Sequence, residues 1–131
     1  GFKFRLVEPE AMKERLGEVS IPNWLACVDK ALENSGTKPD GSSYGRDDID
    51  FFNMSLVKPS AHREMLDRLG LTKEQSVYIS NIGHIGEQDA IINIEAGIEQ
   101  GRLKPGDTMV IIAAGIGYVW GGAVVEWGPV E

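Results

Sequence analysis

The feature that most restricts the fold is the uninterrupted apolar run Met109-Val110-Ile111-Ile112-Ala113-Ala114, followed almost at once by a second run from Val119 to Trp127. A continuous apolar stretch of that length predicts a strand covered on both faces. Only the break around Gly115-Ile116-Gly117 separates the two runs, too little chain for a helical crossover, so they must be antiparallel neighbours. Upstream the pattern alternates. Ile49 to Met54 reads as a short strand, and Pro59-Ser60 opens a helix that turns Ala61, Met65, Leu66 and Leu69 inward before Gly70 stops it. Val77-Tyr78-Ile79 reads as the next strand, and beyond Gly83-His84-Ile85-Gly86 a long helix places Ala90, Ile91, Ile94 and Ile98 on one side. The spacing predicts an α/β unit: a mostly parallel mixed sheet, flanking helices and a C-terminal antiparallel strand.

The N-terminal third carries two helix signals. One runs from Pro9 to Leu16 with Gly17 as its stop; the other starts near Pro22, puts Trp24, Leu25, Val28, Ala31 and Leu32 on one face, and ends at Gly36. Thr37 to Asp48 is polar and turn-rich and reads as an exposed loop insertion within a single domain spanning residues 1–131. At 131 residues and 42% hydrophobic the chain suits one core.

Charge narrows the partners. Thirteen Lys+Arg against 20 Asp+Glu leave a net charge of -7, which argues against nucleic acid and against acidic membranes. No apolar run reaches the ~18 residues of a membrane span. Cys27 is the only cysteine, so no internal disulfide and no Cys-based zinc site can form, and a reducing, cytoplasmic setting is expected; Cys27 itself reads as a small, partly buried hydrophobe. The start, Gly1-Phe2-Lys3, is neither an initiator Met nor a signal peptide, and the chain is expected to begin mid-gene.

In such sheets ligand chemistry collects at the strand C-termini, where Asn53 to Lys58, Asn81 to Asp89 and Ala114 to Tyr118 should converge. Ten of the 16 glycines lie between Gly83 and Gly128. His84, flanked by Gly83 and Gly86, is a titratable group at an uncrowded strand-to-helix turn; a catalytic imidazole and a buried structural histidine both remain open. Glu87 and Asp89 already complement the dipole of the helix that follows, which weakens any phosphate cradle there. His62 is expected to face solvent or to hydrogen-bond at a helix end. Neither histidine lies in an HxH, HxxxH or HExxH spacing, so no metal is expected. Ser55 lies in no G-x-S-x-G elbow. The amides of Gly115, Ile116 and Gly117 fit either an oxyanion site or a plain tight turn.

Taken in order, Asp47-Asp48-Ile49-Asp50-Phe51-Phe52, Met65-Leu66-Asp67-Arg68-Leu69-Gly70-Leu71, Asn81-Ile82-Gly83-His84, Gly101-Arg102-Leu103-Lys104-Pro105-Gly106-Asp107 and the stretch Gly115 to Ala123 resemble the C-terminal half of the β-ketoacyl-[acyl-carrier-protein] synthase III family. The resemblance covers residues 47–128, and its most specific parts are the GRLKPGD turn and the final G-x-G-Y-x-W-G-x-A. It implies half of a thiolase-like α/β/α/β/α sandwich and a decarboxylative Claisen condensation of an acyl thioester with a malonyl thioester. Coenzyme A or acyl-carrier-protein thioesters would be the substrates, with no cofactor, and the N-terminal half of the same protein and a homodimer mate would be the partners.

The family uses a Cys, a His and an Asn. The resemblance puts the Cys in the N-terminal half, and Cys27 does not match it. The His position falls on Ser55, or on Leu56 with a one-residue slip, and the Asn position on His84. Three readings follow: His84 supplies the imidazole from the other loop, the branch runs a different acyl transfer, or the polypeptide is a non-catalytic scaffold subunit. Gly115, Ile116 and Gly117 keep the oxyanion role in the resemblance, because a backbone N–H survives side-chain change. Docking an acidic carrier protein would require a basic face, which Lys58, Arg63 and Arg68 could form; a plain solvated helix face remains open for the same residues.

Overall fold

The two C-terminal apolar runs form the spine of the sheet. The computed structural model describes residues 8–55, 57–79, 89–115 and 119–128. In chain order its elements are α1 (Pro9–Glu33), β1 (Phe51–Met54), α2 (Pro59–Leu69), α3 (Asp89–Glu99), β2 (Thr108–Gly115) and β3 (Val119–Glu126). β2 and β3 pair antiparallel from Thr108↔Glu126 to Gly115↔Val119, as the short break between them requires. β1 pairs parallel with β2 from Phe51↔Met109 to Met54↔Ile112, giving the order β1-β2-β3.

Alternation along the strands separates two apolar layers. Phe52, Met54, Val110 and Ile112 face α1 and α2, where Val28, Leu32 and Met65 close the larger core. Phe51 and Met109 face the other way, into a smaller cluster with Val77 and Leu103 beside α3. All four residues of β1 are buried. In β2 the two-sided cover expected of the apolar run holds through Ile112 and ends at Ala113 and Ala114, which are exposed. α2 starts and stops where its punctuation says: Pro59 occupies the first turn, and Gly70 caps the end at φ 72.

Three sequence expectations need correction. The two N-terminal helices are one: α1 runs through both Gly17 and Pro22. Interior glycine costs about 1 kcal/mol and proline about 3, but Trp24, Val28 and Leu32, spaced four apart, bury along one line and hold the helix against the sheet. Asn23 Nδ2 also donates to Val19 O at 2.7 Å, in the turn that Pro22 disturbs. Second, Val77-Tyr78-Ile79 is no strand. Its neighbour Ser76 makes one parallel bridge to Phe52, and side chains take over from the ladder, with Ser76 Oγ donating to Phe52 O at 2.6 Å and Arg102 Nη1 to Ser76 O at 2.9 Å.

The third correction concerns the inner face of α3. Its buried line is Asp89, Asn93 and Gly97, whereas Ile91 and Ile98 are 60% and 48% exposed. Gly97 brings the helix so close to the sheet that a Cβ there would sit 2.8 Å from Phe51 Cζ. The amide of Asn93 bonds into the end of β1.

Residues 37–48 are largely exposed but tied at both sides. Arg46 forks onto Asp29 of α1 with two 2.8 Å bonds, and this hydrogen bonding holds the Asp29 carboxyl below its ordinary pKa. Lys38 pairs with Asp48 at 2.9 Å, and Tyr44 donates to Glu126 of β3 at 3.1 Å. Cys27 is half-buried against the larger core, as expected.

Candidate functional site

Parallel pairing puts the C-terminal ends of β1 and β2 side by side, and the geometry of Ser55 shows how closely. Its backbone N–H donates to Ile112 O at 3.0 Å, so the residue following β1 lies against the strand that leads to Gly115. The Ser55 hydroxyl reaches the same carbonyl only at 3.5 Å, a weak bond that leaves the side chain available to another partner. The first half of α3 arrives at the same end. Asn93 Nδ2 donates to Met54 O at 2.8 Å and to Asn53 Oδ1 at 3.0 Å, and Asn53 Nδ2 donates to Ala90 O at 3.0 Å.

The ends of β1 and β2 and the start of α3 therefore meet at one edge of the sheet. Asp89, the first residue of α3, is buried there. His84, Ile116 and Gly117 lie outside the described residues; Gly115 is the last residue of β2 and pairs with Val119.

The three basic candidates are exposed, and they differ. Lys58 precedes α2 and its carbonyl accepts from His62 N–H at 3.1 Å. Arg63 lies on the outer side of α2. Arg68 is partly neutralised by Glu64 at 3.3 Å, four residues back on the same helix. Among the described residues no group of three His, Cys, Asp or Glu side chains could hold a metal ion, and no helix is long and apolar enough to cross a membrane.

His62 does not face solvent. It is buried, and its Nε2 lies 2.9 Å from Ser76 Oγ. Burial pushes its pKa down, and the neighbouring Arg63 adds to the shift. A histidine touching a serine suggests a nucleophilic pair, but Ser76 is fully buried and its hydroxyl donates to Phe52 O. The pair is part of the framework. Spacing could have revealed it, because residues 62, 65, 66 and 69 share one helical face. The Asn53–Asn93 pair also escaped the sequence reading, its only signal being an amide inside the apolar run from Ile49 to Met54.

The family model for the C-terminal region of 3-oxoacyl-[acyl-carrier-protein] synthase III matches residues 40–127, which takes in all three strands together with α2 and α3. The chain belongs to that family. Among curated relatives, β-ketoacyl-[acyl-carrier-protein] synthase III of Staphylococcus haemolyticus is 32% identical over 83 residues, and that of Staphylococcus aureus is 30% identical over the same length. Each match covers 63% of this chain and 26% of the relative, so the chain spans about a quarter of the synthases it matches.

Solved structures extend the likeness in fold beyond the sequence match. The synthase III of Thermus thermophilus superposes with a TM-score of 0.75 at 20% identity, covering 89% of this chain and 35% of that one. The enzyme of Aquifex aeolicus gives 0.74 at 17%, over 88% and 35%. Xanthomonas campestris OleA gives 0.57 at 25%, over 64% and 26%. The fold is thus the α/β half-domain of a thiolase-like synthase III.

Proposed function

We propose that this chain is the C-terminal part of a 3-oxoacyl-[acyl-carrier-protein] synthase III-like acyltransferase that condenses an acyl thioester with a malonyl thioester. The observation that carries the reading is the family match over residues 40–127. The convergence of β1, β2 and α3 at one sheet edge supports it, since that is where a parallel sheet presents loop chemistry.

The roles follow from residue chemistry. The cysteine nucleophile comes from the N-terminal half of the same protein. His84 supplies the imidazole, either donating to the malonyl thioester carbonyl or holding a proton during decarboxylation. Ser55 stands where the family has its histidine; a hydroxyl can donate to a thioester oxygen but is too weak a base to take a proton at neutral pH. The amides of Gly115, Ile116 and Gly117 receive the developing oxyanion. Lys58 and Arg63, with Arg68 contributing less because of Glu64, meet the acidic carrier protein or the phosphates of coenzyme A. We place the protein in the cytoplasm, as a homodimer.

The Ser55 substitution favours a second reading, a scaffold subunit of the same fold that binds acyl thioesters without condensing them. Steady-state condensation and malonyl-thioester decarboxylation by the intact protein separate the two. The enzyme reading expects turnover that His84→Ala lowers by about 100-fold, the scale of a lost general acid-base group; His84→Asn, which keeps a donor but no base, retains turnover if the imidazole acts by donating to the carbonyl and loses it as His84→Ala does if the imidazole holds the proton. Acyl-thioester binding without any turnover establishes the scaffold reading instead.

A further inference from the structure

We propose that His62, Ser76 and Tyr78 form a latch that positions the segment after β1, which begins at Ser55, against residues 76–79; its catalytic meaning rests on the function proposed above. Among the described residues, the one ladder contact of residues 76–79 is the bridge from Ser76 to Phe52. Side chains supply the rest. Ser76 has a single hydroxyl proton, and the 2.6 Å contact with Phe52 O commits it to that carbonyl, which can only accept. Ser76 Oγ must therefore accept from His62, which fixes the proton of the neutral ring on Nε2.

The ring of Tyr78 lies 5.4 Å from that of His62 at 48°, and its hydroxyl donates to Val57 O at 2.6 Å. One hydrogen-bonded path thus runs from α2 through Ser76 to β1, and a second runs from Tyr78 to Val57, two residues beyond Ser55. The two paths meet where the imidazole packs on the phenol.

The latch works with a neutral imidazole. Arg63 is next to His62 on α2, and Lys58 lies one turn back. Arg102 reaches in from beyond α3 to bond the carbonyls of Lys73 and Ser76. On the packed segment, Lys73 and Glu74 are exposed, and Tyr78 donates to Val57. Glu64, the carboxylate nearest in sequence, pairs with Arg68. A second proton would go on Nδ1 and leave the Nε2–H bond to Ser76 in place, but it would charge a buried ring beside Arg63, so acid should loosen the packing of the latch.

The test uses the intact protein and four variants. His62→Leu and Ser76→Ala break the first path, Tyr78→Phe breaks the second, and His62→Gln keeps a donor for Ser76 but cannot titrate. Residue-resolved amide exchange should rise about tenfold in residues 55–61 and 76–79 of the three breaking variants, as for a local opening, while β2 is unchanged. His62→Gln should stay protected at pH 7.5 and, unlike wild type, should not loosen at pH 5.5. In condensation assays Tyr78→Phe should lower kcat about tenfold with little change in KM. A uniform rise in exchange that includes β2, or none at all, overturns the latch. Segmental exchange as expected in a protein without thioester turnover keeps the latch and sinks the functional reading; turnover with unmoved exchange does the reverse.

Discussion

Asn93 is fully buried and uses both amide hydrogens, one on Asn53 Oδ1 and one on Met54 O, while its own Oδ1 has no partner. Such an arrangement ties α3 to β1 at the cost of one orphaned acceptor, worth about 1–3 kcal/mol. Asn93→Ala removes that orphan but creates two others, on Asn53 and Met54, and should lower stability by about 2 kcal/mol in urea unfolding. The double variant Asn53→Val/Asn93→Ala should lose less than the sum of the singles, because it removes one of the stranded groups; strict additivity would mean the pair is not coupled. His62 gives a pH-dependent counterpart. Its pKa is lowered in the folded state, so the unfolded chain binds the proton more readily. The stability from the neutral ring is complete above the unfolded pKa of about 6.5 and falls as pH drops through the lowered value. Melting temperature should therefore decline across that window in the wild type and stay flatter in His62→Gln; parallel profiles would show that another group governs the decline.

Gly97 decides how α3 meets the sheet. Alanine at an interior helix position ordinarily gains up to about 1 kcal/mol over glycine. Here the added Cβ would lie 2.8 Å from Phe51 Cζ and 3.2 Å from Leu103 Cβ, and Phe51 is fully buried with nowhere to retreat. Overpacking of this kind costs about 1–3 kcal/mol, so Gly97→Ala should be net destabilising in thermal or urea unfolding, whereas a stabilised variant would mean that α3 can lift. The same contact explains what could be read in advance. α2 was legible from Pro59 to Gly70 because its punctuation and apolar face agree, and the antiparallel β2–β3 pair because so short a break admits nothing else. α3 has isoleucines on several sides, so periodicity alone could not show that its buried line is Asp89, Asn93 and Gly97. In α1, burial of Trp24, Val28 and Leu32 outweighed the stop signal at Gly17 and the separate helix start at Pro22. At the site, the meeting of the strand ends followed from topology, but the His62–Ser76 and Asn53–Asn93 contacts join residues distant in sequence, and single-residue patterns carry no pairing information.

For the whole molecule, the exposed side of α3 sets the behaviour of the 131-residue chain in isolation. Ile91 and Ile98, seven residues and two turns apart, lie on one face and are 60% and 48% exposed. The match to curated synthases covers 26% of their length, so such relatives have about three times as much further chain with which to cover a face of this kind. For the isolated chain, a second copy is one surface that can cover it. Full burial of an isoleucine is worth about 1.5–3 kcal/mol, and roughly half of each is still available, so a symmetric pair gains on the order of 3–6 kcal/mol. Association itself costs an estimated 4–15 kcal/mol. The balance allows only a weak dimer, and the net charge of -7 opposes it further at low salt. Sedimentation equilibrium should show monomer at micromolar concentration, with association that grows toward millimolar and strengthens with added salt. Ile91→Glu/Ile98→Glu should abolish that association without lowering the melting temperature, because neither side chain belongs to the core; a dimer that persists in the double variant would place the contact elsewhere.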